Sequence, residues 1–161
     1  GNVLRPHLNA FQIRDITGLS LGTNYCTANV NSTGAAAVMG AAGSAVAASN
    51  DLTLEATALP PNSFCFFLTS QAQGFVQNPG GSQGNLCLGG AIGRFVGPGQ
   101  IVNSGAGGAA SLAIDLTQHP TPTGPVTVTA GETWNFTTWY RDSAGGAPTS
   151  NFTDGLEIQF N

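Results

Sequence analysis

Lysine is missing from this chain altogether. The cations are Arg5, Arg14, Arg94 and Arg141, set against eight acidic residues, for a net charge of −4. Nucleic-acid binding rests on neutralising phosphates with Lys and Arg, and anionic bilayers are held by clusters of the same residues. The charge pattern therefore argues against both partners. Charged residues make up 7% of the 161, where ~25% is ordinary, so polarity must come from Asn, Gln, Ser and Thr. No apolar run reaches the ~18 residues that a membrane helix needs; the longest weakly polar stretch, residues 34–48, is mostly Ala and Gly. Amphipathic helical periodicity is absent too. So is any CxxC pair, which removes the usual zinc spacing.

What is present is apolar and short-ranged. Hydrophobic residues are 41% of the chain, nine of them Phe, too many for a disordered segment. The most informative stretch is 131–142. Read at period two, Trp134, Phe136, Thr138 and Tyr140 share one face, and Asn135, Thr137, Trp139 and Arg141 the other. Aromatic and β-branched residues at that spacing make a half-buried strand. Its natural partner is the end of the chain, where Leu156, Ile158 and Phe160 alternate with Glu157 and Gln159. Alternation recurs at 52–58 and 110–116, and Ser63–Ser70 reads as the most buried strand. Turn signals separate these runs every ~8–14 residues, which predicts an all-β antiparallel sandwich, Ig-like or jelly-roll-like, of roughly nine strands with no significant helix. Residues 71–90 read as a long polar loop, and 120–125, rich in Pro, as a stiff connector.

Residues 1–20 differ from the rest of the chain. Phe11 and Ile13 alternate within a strand-like run that Pro6 confines to an edge. The segment reads as an extension, or as the end of a preceding domain, with 21–161 forming the sandwich domain. Strand addition through Phe11 and Ile13 onto another copy would build an extracellular filament or layer.

Three cysteines permit one disulfide. Cys26 and Cys87 sit beside loop-type sequence and are the pair expected to bridge. Cys65, inside Ser-Phe-Cys-Phe-Phe-Leu, behaves as a buried hydrophobe. Three unpaired buried thiols remain the alternative reading.

Catalytic signals are weak. His7 and His119 adjoin prolines, read as exposed loop histidines, and accompany no Gly-x-Ser-x-Gly turn. The carboxylates Glu55, Asp115, Glu132, Asp142, Asp154 and Glu157 lie at turns or on strands, as solvated groups do. No catalytic residue and no metal ligand is assigned, and a non-enzymatic role is expected. Calcium is a candidate cofactor, through Asp142, Asn151 and Asp154, which bracket a single loop. The stronger lead is Trp139, on the face opposite Trp134, beside Asn135 and Arg141. An exposed indole next to amide and guanidinium groups can stack on a sugar ring.

Several phrases occur together: Gly22-Thr23-Asn24-Tyr25-Cys26, Asn31-Ser32-Thr33-Gly34, Gly80-Gly81-Ser82-Gln83-Gly84-Asn85-Leu86-Cys87-Leu88-Gly89-Gly90, Trp139-Tyr140-Arg141-Asp142 and Ser150-Asn151-Phe152-Thr153-Asp154-Gly155. With them the chain, from about Leu21 to Phe160, resembles the C-terminal domains of large secreted multidomain bacterial proteins. The resemblance implies an extracellular accessory domain. It also supports the Cys26–Cys87 pairing, since both lie in the matching phrases and Cys65 does not. It transfers no ligand-binding or catalytic residue. The expected function is adhesion, or binding of polysaccharide or another cell-surface component, with self-assembly as the competing reading.

Overall fold

The computed structural model describes residues 21–161; the strand expected around Phe11 and Ile13 lies outside the described residues. Fourteen strands succeed one another: β1 (Thr23–Tyr25), β2 (Val38–Gly43), β3 (Leu52–Thr57), β4 (Phe64–Ser70), β5 (Ala72–Gln77), β6 (Asn85–Gly89), β7 (Gly93–Arg94), β8 (Val102–Asn103), β9 (Ala110–Ile114), β10 (His119–Thr121), β11 (Gly124–Val126), β12 (Thr133–Ala144), β13 (Ala147–Phe152) and β14 (Gly155–Gln159). Helical structure among the described residues is confined to two three-residue 3-10 turns, Ala47–Ser49 and Pro79–Gly81.

The long strand β12 is the spine. Its first half pairs with β14, setting Trp134 opposite Ile158 and Phe136 opposite Leu156. Its second half pairs with β13, and its other edge pairs with β4. The large sheet runs β1-β14-β12-β4-β7, with β8 also on β4, and a three-stranded sheet, β2-β3-β9, lies against it. All these pairings are antiparallel, and the sheets form an open sandwich rather than a barrel.

Alternation explains the core. Trp134, Phe136 and Tyr140 of β12 and Leu156, Ile158 and Phe160 at the end of the chain meet Met39, Leu52 and Leu54 of the smaller sheet in one buried cluster. Each large side chain buried there contributes roughly 1.5–3 kcal/mol of transfer free energy. The Thr138 hydroxyl, on the same face, reaches Met39 Sδ at 3.2 Å. Cys65 is also in this core, and burial pushes its thiol up to about 11.

The opposite face of the large sheet carries a second cluster: Leu68, Leu88 and Phe152, flanked by Phe66, Leu86, Ile92 and Trp139. Part of that face is covered by the segment expected to be a polar loop. Residues 72–89 instead form the β5–β6 hairpin, with a bulge between Gln73 and Val76. Its glycines are packing sites. A Cβ on Gly84 would overlap the Asn151 side chain and the Phe152 backbone, and one on Gly74 would lie 2.6 Å from the Leu88 carbonyl oxygen. Close approach, rather than flexibility, is what these glycines serve. The stretch 120–125 is likewise a hairpin, pairing Pro120 with Pro125.

Cys26 and Cys87 are bonded, their Cα atoms 6.1 Å apart. The bridge joins the turn after β1 to β6 and so clamps the hairpin against the large sheet. The Tyr25 hydroxyl adds a hydrogen bond to the Cys87 carbonyl at 2.8 Å.

Candidate functional site

Trp139 lies on β12 opposite Phe66 of β4 on one side and Phe152 of β13 on the other. Partners in register share a face of the sheet, so the three rings gather outside the main core. Trp139 and Phe66 are stacked, with centroids 4.9 Å apart and planes 27° from parallel. Both are only partly buried. They line a cleft of about 440 Å³ together with Leu68, Leu86 and Arg94. An adjoining depression of about 330 Å³ again includes Trp139, with Arg141, Thr149 and Ser150. Arg94 and Arg141 are exposed.

The wall of both hollows is the tip of the β5–β6 hairpin, which contributes Gly80 to each. Three hydrogen bonds dock that tip on β13. Gln83 N–H and the Ser82 hydroxyl both donate to the Ser150 carbonyl at 2.8 Å, and the Thr149 hydroxyl donates to the Gly81 carbonyl at 3.3 Å. The site is thus a fixed aromatic floor with a rigid wall, and guanidinium groups open to water at its sides.

No protein-family model, curated protein or solved structure matches the chain.

Of the residues expected to form the patch, Trp139 and Arg141 are brought together and Asn135 is not. Asn135 shares their face of β12 but is 1% exposed. Its Nδ2 donates to the Ser70 carbonyl at 3.2 Å, and its Oδ1 has no partner. Alternation set its face correctly; the hairpin covers that end of the face and leaves the Trp139 end open. Two residues of the cleft, Phe66 and Arg94, are absent from the expected set. Neither carries a local signal: Phe66 reads as part of the most buried strand, and Arg94 joins the site only through the pairing of β7 with β4.

The calcium set does not assemble. Asp142 and Asn151 meet, Nδ2 donating to Oδ2 at 3.2 Å, while Asp142 Oδ1 accepts from Ser32 N at 3.1 Å and Ser143 N at 2.8 Å. Asp154 lies elsewhere, accepting from Met39 N at 2.7 Å and Asn24 Nδ2 at 3.1 Å; burial raises its pKa above the usual carboxylate value. These carboxylates face N–H donors, the reverse of what a cation requires. No group of three His, Cys, Asp or Glu side chains suited to a metal occurs among the described residues.

His119 is a correction. It reads as an exposed loop histidine, yet it is fully buried. Its ring lies 4.2 Å from that of Trp134 and 5.4 Å from that of Phe95, centre to centre. Thr69 Oγ1 is 2.9 Å from its Nε2, and burial pushes its pKa down to about 4. Thr69 is equally inaccessible, so this hydroxyl–imidazole pair is sealed from any substrate. The hairpin between two proline-containing strands is what carries the ring inside.

Proposed function

We propose that this chain is a non-catalytic, extracellular β-sandwich module that binds polysaccharide on a cell surface or in its surroundings, with Trp139 as the platform. The observation that carries the reading is the partly exposed Trp139–Phe66 stack, held in a cleft whose sides offer guanidinium donors. A pyranose ring has an apolar C–H face and a rim of hydroxyls. A flat aromatic floor with polar groups at its margin suits both parts. The hairpin wall is pinned by hydrogen bonds and a disulfide, so little ordering cost accompanies binding. The Cys26–Cys87 bridge supports an oxidising compartment. In this reading the chain serves as an accessory domain of a larger secreted protein.

Affinity electrophoresis through gels containing polysaccharides tests the proposal. Trp139→Ala should weaken retention at least ~30-fold, the loss typical of a central aromatic anchor. Because Trp139 is half-covered, removing roughly 100 Å² of contact should also cost about 2 kcal/mol of stability, and Trp139→Phe should recover part of the retention. Retention by the Ala variant equal to that of the natural chain, with its circular dichroism intact, would refute the platform role.

A further inference from the structure

We infer that the ligand is an acidic polysaccharide, whose carboxylate or sulfate groups are taken by Arg94 and Arg141 on opposite sides of the Trp139–Phe66 stack. The inference rests on the polysaccharide-binding reading and names the class of sugar. Its basis is where the cations stand. The chain has no lysine, and two of its four arginines precede residue 21. Arg94 and Arg141 are therefore the entire set of Lys and Arg side chains among the described residues. Both open onto the hollows that share Trp139. No Asp or Glu among the described residues lines either hollow. Asp142, the neighbour of Arg141 in sequence, alternates to the other face, where Ser32, Ser143 and Asn151 hold its carboxylate.

The register gives the spacing. Arg94 pairs with Leu68, which pairs with Thr137. Arg141 is four residues along β12 from Thr137; Trp139 is midway between them on β12, and its partner Phe66 is midway between the two arginines. Two strand spacings across and four residues along place the arginine Cα atoms about 16 Å apart on a diagonal. A chain crossing the Trp139–Phe66 stack on that diagonal meets a guanidinium before and after the stacked ring. This arrangement suits a polymer with an anionic group on the sugars flanking the stacked one. A planar guanidinium engages carboxylate and sulfate alike through paired N–H donors. A protein of net charge −4 would otherwise repel such a polymer, so the local cations decide the choice. The aromatic floor favours a sugar over an acidic peptide, which has no flat apolar face to stack.

The test uses the full chain in gels containing polygalacturonate, dextran sulfate, neutral dextran or polyglutamate. The natural chain should be retarded by polygalacturonate, dextran sulfate or both, more than by dextran or polyglutamate, and the retardation should fade with added salt. Arg94→Gln and Arg141→Gln should each weaken binding about 5-fold, and the double variant about 25-fold. Because both side chains are exposed, near-ultraviolet circular dichroism should stay unchanged. Equal retention by dextran, if it depends on Trp139, would overturn the inference and leave the polysaccharide-binding reading standing. So would a double variant that binds acidic polymers as before. Tighter binding to polyglutamate would move the ligand to acidic peptides and overturn the inference. Loss of Trp139-dependent retention by every polysaccharide would instead remove the reading beneath it.

Discussion

Acidification should destabilise this protein through one buried imidazole. The aromatic cage of Phe95, Trp134 and Phe136 keeps His119 neutral in the folded state, its pKa pushed from 6.5 down to about 4. The unfolded chain exposes the ring, which then protonates near its ordinary value. Between those two values the unfolded state binds a proton that the folded state refuses. The stability His119 contributes is therefore complete above about pH 6.5 and is lost as pH falls toward 4. The interval amounts to about 3 kcal/mol, of which about 2 kcal/mol is gone by pH 5. Denaturant unfolding at pH 7, 6 and 5, followed by tryptophan fluorescence, measures it. His119→Phe keeps an aromatic ring in the cage and should flatten the slope; His119→Gln is a second non-titrating variant. Asp154, raised by burial, and Asp115, lowered by the Thr117 side-chain hydrogen bond, also titrate. They are common to the natural chain and the variants and cancel in the difference. Equal pH slopes for the natural chain and both variants would refute the reasoning.

Two further outcomes are expected. Replacing Cys26 and Cys87 with Ser should cost about 4 kcal/mol by the loop-entropy relation for a separation of 61 residues, and should weaken polysaccharide retention by releasing the β5–β6 wall; retention that survives the loss of the bridge would detach the wall from the site. Deleting residues 1–20 should leave a folded monomer if Phe11 and Ile13 serve another chain, whereas light scattering that finds the complete protein monomeric at high concentration would end the strand-addition reading.

Much of the sandwich was readable because a strand declares its faces at period two. Trp134 and Trp139 fall on opposite sides of β12 for that reason alone, and the pairing of β12 with the chain end comes from matching apolar rows. Fates that depend on a third layer were not readable. Asn135 has the correct face and the wrong environment, since alternation does not report what lies above a sheet. The hairpin above it was hidden by its own glycines, which in sequence are turn signals and in the structure are points of contact. His119 reads as a loop residue because a proline follows it, whereas Pro120 and Pro125 of that hairpin occupy paired strands. Arg94 becomes a site residue only through the pairing of β7 with β4, which its own short strand does not announce.

The placement of the arginines has a consequence for proteolysis. Trypsin-like enzymes cleave after Lys and Arg, so within residues 21–161 they find two bonds, Arg94–Phe95 and Arg141–Asp142. Both belong to sheet-paired backbone, which a protease attacks only after local opening. The body of this protein is thus poor food for a large class of secreted hydrolases. Its two vulnerable bonds flank Trp139, so a ligand bound in that cleft would also shield them.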